Sequence, residues 1–230
     1  MENTKKIIIL FLVLFLLSCD NSINYYRPNY KKITDLNNLN KIKLNLVRYK
    51  NQINLMSDYV IEYGDKSETI KIKSLGFLIQ DSIFSLKTNS YHLVNSVIDI
   101  NTYKEIEKNI LYQDKDNIYY NLTSKKSNYP YCILDLKASE SKIFPGGYIK
   151  DNSTVYSYGG VICIKMDSIN ADKFDVIKVR NLNNDSVLYI GTDNESIYWN
   201  ESKITKQHVK DLPIQEKIKD SLCKKYFPNR

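Results

Sequence analysis

The fold of this 230-residue chain is decided by one stretch, Tyr112-Gln113-Asp114-Lys115-Asp116-Asn117-Ile118-Tyr119-Tyr120. The stretch places a polar, aspartate-rich centre between two aromatic ends. Asp and Asn side chains bond to nearby backbone amides and tolerate turn conformations, whereas aromatic residues favour half-buried, pleated surfaces. We therefore predict a β-hairpin that bends at Asp114 and pairs its flanking aromatic residues across the two strands.

The same pattern returns along the chain. It recurs around Asp81 (Phe77 to Phe84, the weakest copy), Asp151 (Tyr148 to Tyr156) and Asp193 (Tyr189 to Trp199). Segments 99–103, 135–144 and 172–177 follow three of the units, and we expect each to form a turn or short helix. One hairpin is not stable alone, but stacked hairpins can bury a continuous layer. The prediction is a mainly β fold with about three to four stacked hairpin units over 77–204.

The stretch Asp114–Tyr120, with Ala171-Asp172-Lys173-Phe174-Asp175-Val176-Ile177 further on, resembles the bacterial DKNYY repeat family. Units of that family carry an Asp-Lys-Asn turn, an aromatic pair and a trailing aspartate-to-phenylalanine element. The turns at Asp151 and Asp193 lack the lysine. The family has no established activity, so the resemblance implies a repeat fold and an envelope location and supplies no catalytic residue.

The N-terminus has the pattern of an export signal. Lys5 and Lys6 precede the eleven-residue apolar run Ile7–Leu17, which is shorter than the ~20 residues a spanning helix needs. The ending Leu16-Leu17-Ser18-Cys19 resembles the lipobox of bacterial lipoproteins, which implies cleavage before Cys19 and acylation of that residue. The alternatives are an uncleaved membrane anchor and an ordinary signal peptide. Two or three acyl chains would hold the protein durably in the inner or the outer membrane of a bacterial cell envelope.

The remaining domain boundaries follow from composition. Residues 1–18 form the signal peptide, 19–40 the lipidated cysteine and a polar tether, and 41–76 an N-terminal β region. In that region Lys43-Leu44-Asn45-Leu46-Val47 predicts one strand, and Gly64-Asp65-Lys66 predicts a hairpin turn.

Residues 205–230 predict one C-terminal amphipathic helix, capped by Asp211 with Pro213 in its first turn. Its apolar stripe, which we expect to dock on the domain, consists of Ile214, Ile218, Leu222 and Tyr226.

The charge of the chain narrows the kinds of partner that it can bind. The formal net charge is +7, and removing Lys5, Lys6 and Glu2 with the signal changes it to +6. The lysines are scattered and alternate with apolar residues, which is typical of solvated strand faces and argues against a nucleic-acid partner. Attraction to anionic lipid head groups is compatible with this charge.

Cys132 and Cys163 occupy similar places in successive units. If the units pack side by side, these two cysteines form a disulfide in an oxidising compartment; the alternative is two buried thiols.

The sequence predicts no catalytic residue, cofactor or metal ion. His92 and His208 are the only histidines, and they lack the spacing of a zinc site. The recurring aspartates could bind calcium or could simply form turns. Each turn supplies only one or two carboxylates, whereas calcium requires six to eight oxygen ligands, so turn formation is favoured. Gly146-Gly147 and Gly159-Gly160 are assigned to turns.

The best binding candidates are Tyr120, Tyr158 and Trp199, which we predict to share one face of the sheets and to form an exposed aromatic row. The predicted function is non-catalytic binding or scaffolding in the cell envelope, with an envelope protein or a glycan as partner. The alternatives are an envelope hydrolase with a site assembled from scattered residues and a purely structural component. A deep pocket that gathers His92 with carboxylates would favour the hydrolase.

Overall fold

The structure is a computed structural model that describes residues 31–33, 39–63, 71–121, 131–159 and 163–228. The predicted signal peptide, Cys19 and the predicted turn Gly64-Asp65-Lys66 lie outside the described residues. Across the described ranges the chain forms several antiparallel sheets and few helices, which confirms the mainly β prediction. None of the described helices combines the length and the apolar character that crossing a bilayer requires.

The first sheet, called here the N-terminal sheet, contains five strands in the order β1-β5-β4-β3-β2. Every pairing in it is antiparallel, and β4 pairs with β5 as the predicted hairpin requires. The strands are β1 (Lys31–Ile33), β2 (Asn40–Lys43), β3 (Leu46–Tyr49), β4 (Gln52–Tyr63) and β5 (Lys71–Gln80).

Two predictions for this region are wrong. The tether was predicted to continue to residue 40, but Lys31–Ile33 pairs with the edge of β5, because that edge offers free backbone hydrogen-bonding groups. The single strand predicted over 43–47 is instead a hairpin between β2 and β3, since Leu44 adopts a left-handed φ of 52° and reverses the chain. Neither Leu44 nor Asn45 belongs to a common turn dipeptide, so this turn had no strong sequence signal.

Three further sheets follow, and we name them layers 1, 2 and 3. Each contains a four-stranded antiparallel meander, and layer 1 adds the hairpin β6–β7, whose β6 pairs in parallel with β11. Layer 1 comprises β6 (Ser82–Ser85), β7 (Ser90–Leu93), β8 (Lys104–Glu107), β9 (Leu111–Gln113), β10 (Ile118–Asn121) and β11 (Tyr131–Ile133). Layer 2 comprises β12 (Lys142–Phe144), β13 (Tyr148–Lys150), β14 (Val155–Ser157) and β15 (Ile164–Lys165). Layer 3 comprises β16 (Asp175–Arg180), β17 (Val187–Thr192), β18 (Ile197–Trp199) and β19 (Ser202–Lys203).

The sheets pack face to face in chain order. Leu46 and Leu55 of the N-terminal sheet share a core with Tyr119 of layer 1. Layers 1 and 2 enclose a second core, and layers 2 and 3 a third. Layer 3 packs its other face on the C-terminal helices. Layers 1 and 2 therefore bury both of their faces, and layer 3 buries one face against layer 2 and part of the other under the C-terminal helices.

Short helical turns lead into each layer, as the sequence predicts for the segments that follow the hairpins. The 3₁₀ helices η1 (Ala138–Glu140) and η2 (Ala171–Lys173) precede layers 2 and 3. The one-turn helix α1 (Val94–Val97) and the turn closed by the Tyr103 N–H to Asp99 O bond precede β8.

The predicted unit around Asp81 is wrong, because the strands on either side of Asp81 belong to different sheets. β5 pairs within the N-terminal sheet, whereas β6 pairs with β7 and β11 in layer 1. The chain crosses from one sheet to the next at this point and forms no hairpin.

The C-terminal segment contains two helices, α2 (Lys206–Asp211) and α3 (Glu216–Tyr226), which together we call the helical cap. The prediction of one helix capped by Asp211 is wrong. Thr205 begins α2 through a capping box with His208, and Asp211 ends that helix. Pro213 lies between the helices because it cannot continue one. The predicted stripe is correct: Ile214, Leu222 and Tyr226 are buried against layer 3, with Ile218 partly buried.

Candidate functional site

Three buried aspartates hold the hairpin turns of the layers by the same set of hydrogen bonds. Oδ1 of Asp114 accepts the backbone N–H groups of Asp116 and Asn117 at 2.9 and 2.7 Å. Oδ1 of Asp151 accepts those of Ser153 and Thr154, both at 2.8 Å. Oδ1 of Asp193 accepts those of Glu195 and Ser196 at 3.1 and 2.8 Å. In each turn the residue before the aspartate pairs with the residue five positions later, so the three registers agree.

The second carboxylate oxygen ties each turn to the loop that enters its own layer. Oδ2 accepts the N–H of Asp99 at 2.9 Å in layer 1, of Lys137 at 2.9 Å in layer 2 and of Asn170 at 3.2 Å in layer 3. Asp99 opens the turn before β8, and the other two residues directly precede η1 and η2. We call this arrangement the aspartate lock, because one side chain joins two loops at the same edge of a layer.

Tyrosine hydroxyls complete two of the locks. Tyr119 donates to Asp114 Oδ2 at 2.6 Å, and Tyr198 donates to Asp193 Oδ2 at 3.1 Å. Burial, followed by the nearby Asp114, raises the pKa of Tyr119. Burial, followed by the charge of Asp193, raises the pKa of Tyr198 to about 12. Both hydroxyls are therefore protonated donors at neutral pH.

The hydrogen bonds also lower the pKa of two lock carboxyls. Burial raises the pKa of Asp151, but the bonds from Lys137, Ser153 and Thr154 outweigh it, and the net pKa lies below the usual range. The pKa of Asp193 follows the same balance, with bonds from Asn170, Ser196 and Glu195. Hydrogen bonds to a carboxylate stabilise its charged form, so both groups are anionic at neutral pH.

These carboxylates form turns and do not assemble a metal site. Their oxygens accept backbone amides from two directions, whereas calcium requires six to eight oxygen ligands around one ion. Within the described ranges, no group of three or more His, Cys, Asp or Glu side chains could hold a metal ion. Gly146 and Gly147 adopt positive φ in the β12–β13 turn, as the sequence predicts for this pair.

The predicted exposed aromatic row is wrong for two of its three members. Tyr120 and Tyr158 are each 5% exposed and meet between layers 1 and 2, with ring centroids 6.3 Å apart. Tyr120 does face away from Tyr119, but layer 2 covers that face. Tyr158 lies two positions after Tyr156, so the pleat sends both rings to the same side, toward layer 1.

Trp199 is exposed, as predicted. It occupies the position in β18 that Tyr120 occupies in β10, six residues after the lock aspartate. In layer 1 the next layer buries that position; in layer 3 the helical cap follows and leaves Trp199 40% exposed. Trp199 is also the only tryptophan of the chain.

A cleft of about 260 Å³ opens beside the same strand, between β18–β19 and the end of α3. Its walls carry one acidic and one basic side chain, Glu195 and Lys203, and the aromatic residues Tyr226 and Phe227. The Tyr226 hydroxyl bonds to Thr192 Oγ1 at 2.6 Å and fixes α3 on layer 3. The sequence places Tyr226 in the helix stripe but gives no signal for the cleft, which depends on where a helix docks on a distant strand.

The two histidines serve local structure. His92 Nε2 lies 2.7 Å from Thr88 Oγ1 and 3.2 Å from Ser90 Oγ at the β6–β7 hairpin. His208 accepts the Thr205 N–H through Nδ1 in the capping box. No carboxylate appears among the described hydrogen-bond partners of either ring.

Cys132 and Cys163 lie in the same core between layers 1 and 2, and both are free thiols in the structure. Burial raises the pKa of Cys132 to about 12. Burial, followed by Cys132, raises the pKa of Cys163. The structure therefore brings the predicted pair together without a bond between them.

The chain matches no family model, no curated protein and no solved structure in the comparisons made. The resemblance to the DKNYY repeat family stays a prediction from the residues quoted for it.

Proposed function

We propose that the protein is a lipoprotein of the bacterial cell envelope whose layered domain binds or scaffolds an envelope partner without catalysis. The anchor is Cys19, and the support for it is the basic pair, apolar run and lipobox-like ending of residues 1–19. The partner is an envelope protein or a glycan.

The layers are, in the same proposal, units of one DKNYY-like repeat. Support comes from three features that layers 1, 2 and 3 share: the strand order, the register of the central hairpin and the aspartate lock. Three unrelated segments are not expected to carry an aspartate at the same position of a meander and to bond it to the equivalent two loops.

The observation that carries the binding proposal is the exposure of Trp199 at the end of the stack. The equivalent Tyr120 in layer 1 is buried by the next layer, so this position suits contact with another surface. Trp and Tyr supply large contact areas with few rotatable bonds, and they dominate the energetics of many interfaces. The adjacent cleft adds Lys203 and Glu195 for polar contacts.

The first experiment tests the anchor. Cells expressing the wild type or Cys19→Ala are labelled with a clickable fatty acid and then treated with protease while intact. Label present in the wild type and lost in the variant supports lipidation, and shaving of the domain indicates an outward orientation. Absence of label in the wild type contradicts the lipoprotein proposal.

The second experiment tests binding through the single tryptophan. The fluorescence of Trp199 is titrated with soluble cell-wall glycan fragments, and the full chain is used separately to pull down cross-linked envelope proteins. A saturable change in emission, with calorimetric affinity reduced at least about tenfold by Trp199→Ala, supports the proposal. Leu182→Ala is the matched control, because Leu182 is 54% exposed in the same layer but lies in the β16–β17 turn. Equal effects of the two substitutions on binding contradict a role for Trp199.

A further inference from the structure

We propose that Cys132 and Cys163 form a disulfide that joins layer 1 to layer 2. The inference rests in part on the proposed envelope location, because cytosolic conditions keep thiols reduced. Cys132 belongs to β11 and Cys163 directly precedes β15, and these are the last strands of the two successive meanders. The bond would therefore connect equivalent strands of neighbouring layers.

The orientation of the two side chains supports this pairing. Cys132 pairs with Tyr120 across the β10–β11 ladder, and both side chains enter the core that layers 1 and 2 share. Cys163 packs against the same core from the layer 2 side. Tyr120, Cys132 and Cys163 therefore contribute to one core between the two layers. A disulfide requires Cα atoms within about 7 Å of each other, whereas stacked sheets lie about 10 Å apart, so the bond requires the end of β11 and the start of β15 to approach more closely than the average layer spacing.

The third cysteine of the domain occupies a different environment. Cys223 lies on α3 and packs against layer 3 and the helical cap. The stack places that core two interfaces away from the core of Cys132 and Cys163, so Cys223 is not a competing partner in the folded chain.

The chemistry is thiol–disulfide exchange with a disulfide oxidant. The thiolate of Cys163, the less buried of the two, attacks one sulfur of the oxidant and releases the other as a thiol. Cys132 then attacks the Cys163 sulfur of this mixed disulfide and releases the second thiol. The oxidant's S–S bond breaks, the Cys132–Cys163 bond forms, and the two protons and two electrons leave with the reduced oxidant.

The bond is expected to form during folding. Cys132 is buried and Cys163 partly buried in the finished core, and this burial disfavours the thiolate, which is the reactive form. Once layers 1 and 2 have packed, the same burial protects the bond from reduction.

The test is oxidative refolding of the full chain carrying Cys19→Ala. The protein is refolded with glutathione disulfide, trapped with N-ethylmaleimide in denaturant and mapped by mass spectrometry. The expected result is one Cys132–Cys163 linked peptide that disappears on reduction, with Cys223 alkylated. Reduction should lower the melting temperature by on the order of 10 °C, and Cys223→Ala should leave both results unchanged. Three alkylated cysteines, or a bond to Cys223, would overturn the inference.

Protein isolated from the cell envelope and trapped in the same way needs no refolding and gives a second measurement. A linked peptide in this sample supports both the bond and the envelope location. A bond formed only with added oxidant supports the pairing and contradicts the proposed location, so the two proposals fail separately.

Discussion

The meanders of layers 1 to 3 and the N-terminal sheet are both antiparallel, but they reverse the chain by different means. Each layer closes its central hairpin with a buried carboxylate that accepts three backbone amides. Asp81, where the N-terminal sheet passes into layer 1, has no hydrogen bond to its carboxylate among those described. An aspartate between two strands therefore forms a lock only where both strands belong to the same sheet, as at Asp114 and not at Asp81.

A second comparison lies within the layers. Tyr120 and Trp199 occupy equivalent positions, yet one is buried and the other is exposed. The difference is the neighbour: layer 2 covers Tyr120, whereas no further layer follows Trp199, which stays 40% exposed. The position of an aromatic residue on a strand therefore does not show whether it is exposed. The element that packs on that face of the sheet decides it.

The largest expected effect comes from removing a lock. Asp114→Ala should lower the free energy of unfolding by about 3 kcal/mol, because it removes the acceptor of the part-buried amides of Asp99, Asp116 and Asn117. Urea unfolding followed by circular dichroism measures the change. Asp81→Ala is the matched control and should cost less than about 1 kcal/mol. Equal costs for the two variants would remove the distinction between locked layers and the N-terminal sheet.

The next effect concerns pH. The pKa values of Asp151 and Asp193 are lowered in the folded state, so their stabilising contribution is complete above the unfolded value of about 4. It is lost as the pH falls through the folded pKa values. Urea midpoints measured from pH 7 to pH 2.5 should therefore be flat above about pH 5 and fall below pH 4. The double variant Asp151→Asn and Asp193→Asn should show a shallower fall; a parental slope would contradict the assignment.

A smaller effect separates two tyrosines that share one interface. Tyr158 donates its hydroxyl to Glu107 across layers 1 and 2, and no described hydrogen bond involves the hydroxyl of Tyr120. Tyr158→Phe should cost about 1–2 kcal/mol because Glu107 loses its partner, and Tyr120→Phe should stay within about 0.5 kcal/mol. Chemical unfolding of the two variants side by side makes the measurement. A larger cost for Tyr120→Phe would show that the hydroxyl of Tyr120 contributes more to stability than the Tyr158–Glu107 bond, which would contradict the expectation.

The smallest effect is expected at the open end of the stack. Trp199→Phe should change the free energy of unfolding by less than about 0.5 kcal/mol, since the indole is 40% exposed. In the unmodified protein, acrylamide should quench Trp199 fluorescence readily. Weak quenching would mean that the helical cap or a second molecule covers the ring, and the contrast with Tyr120 would disappear.

Short-range chemistry accounts for what could be predicted. The turns at Asp114, Asp151 and Asp193 were predictable because a carboxylate bonds to amides two and three residues away, whatever the rest of the chain does. The buried stripe of Ile214, Leu222 and Tyr226 followed from helical periodicity in the same way. The split into α2 and α3 was missed, although Thr205 offered a capping signal and Pro213 a break.

The failures have a common long-range cause. The strand at 31–33 depends on an edge supplied by β5, and the crossover at Asp81 depends on two different sheets. Leu44 turns the chain because β2 and β3 must both pair in the N-terminal sheet, which outweighs its unfavourable φ. The local structural preferences of these residues give no information about which distant strands they pair with.

By itself the sequence determined the mainly β class, the three aspartate turns and the apolar face of the C-terminal segment, because each arises from bonds or periodicity within a few residues. Only the tertiary structure decided that Tyr120 and Tyr158 are interior, that Trp199 is not, and that Cys132 and Cys163 share one core. Those outcomes depend on which sheet packs on which face, and stacking buries both faces of a layer except where the stack ends.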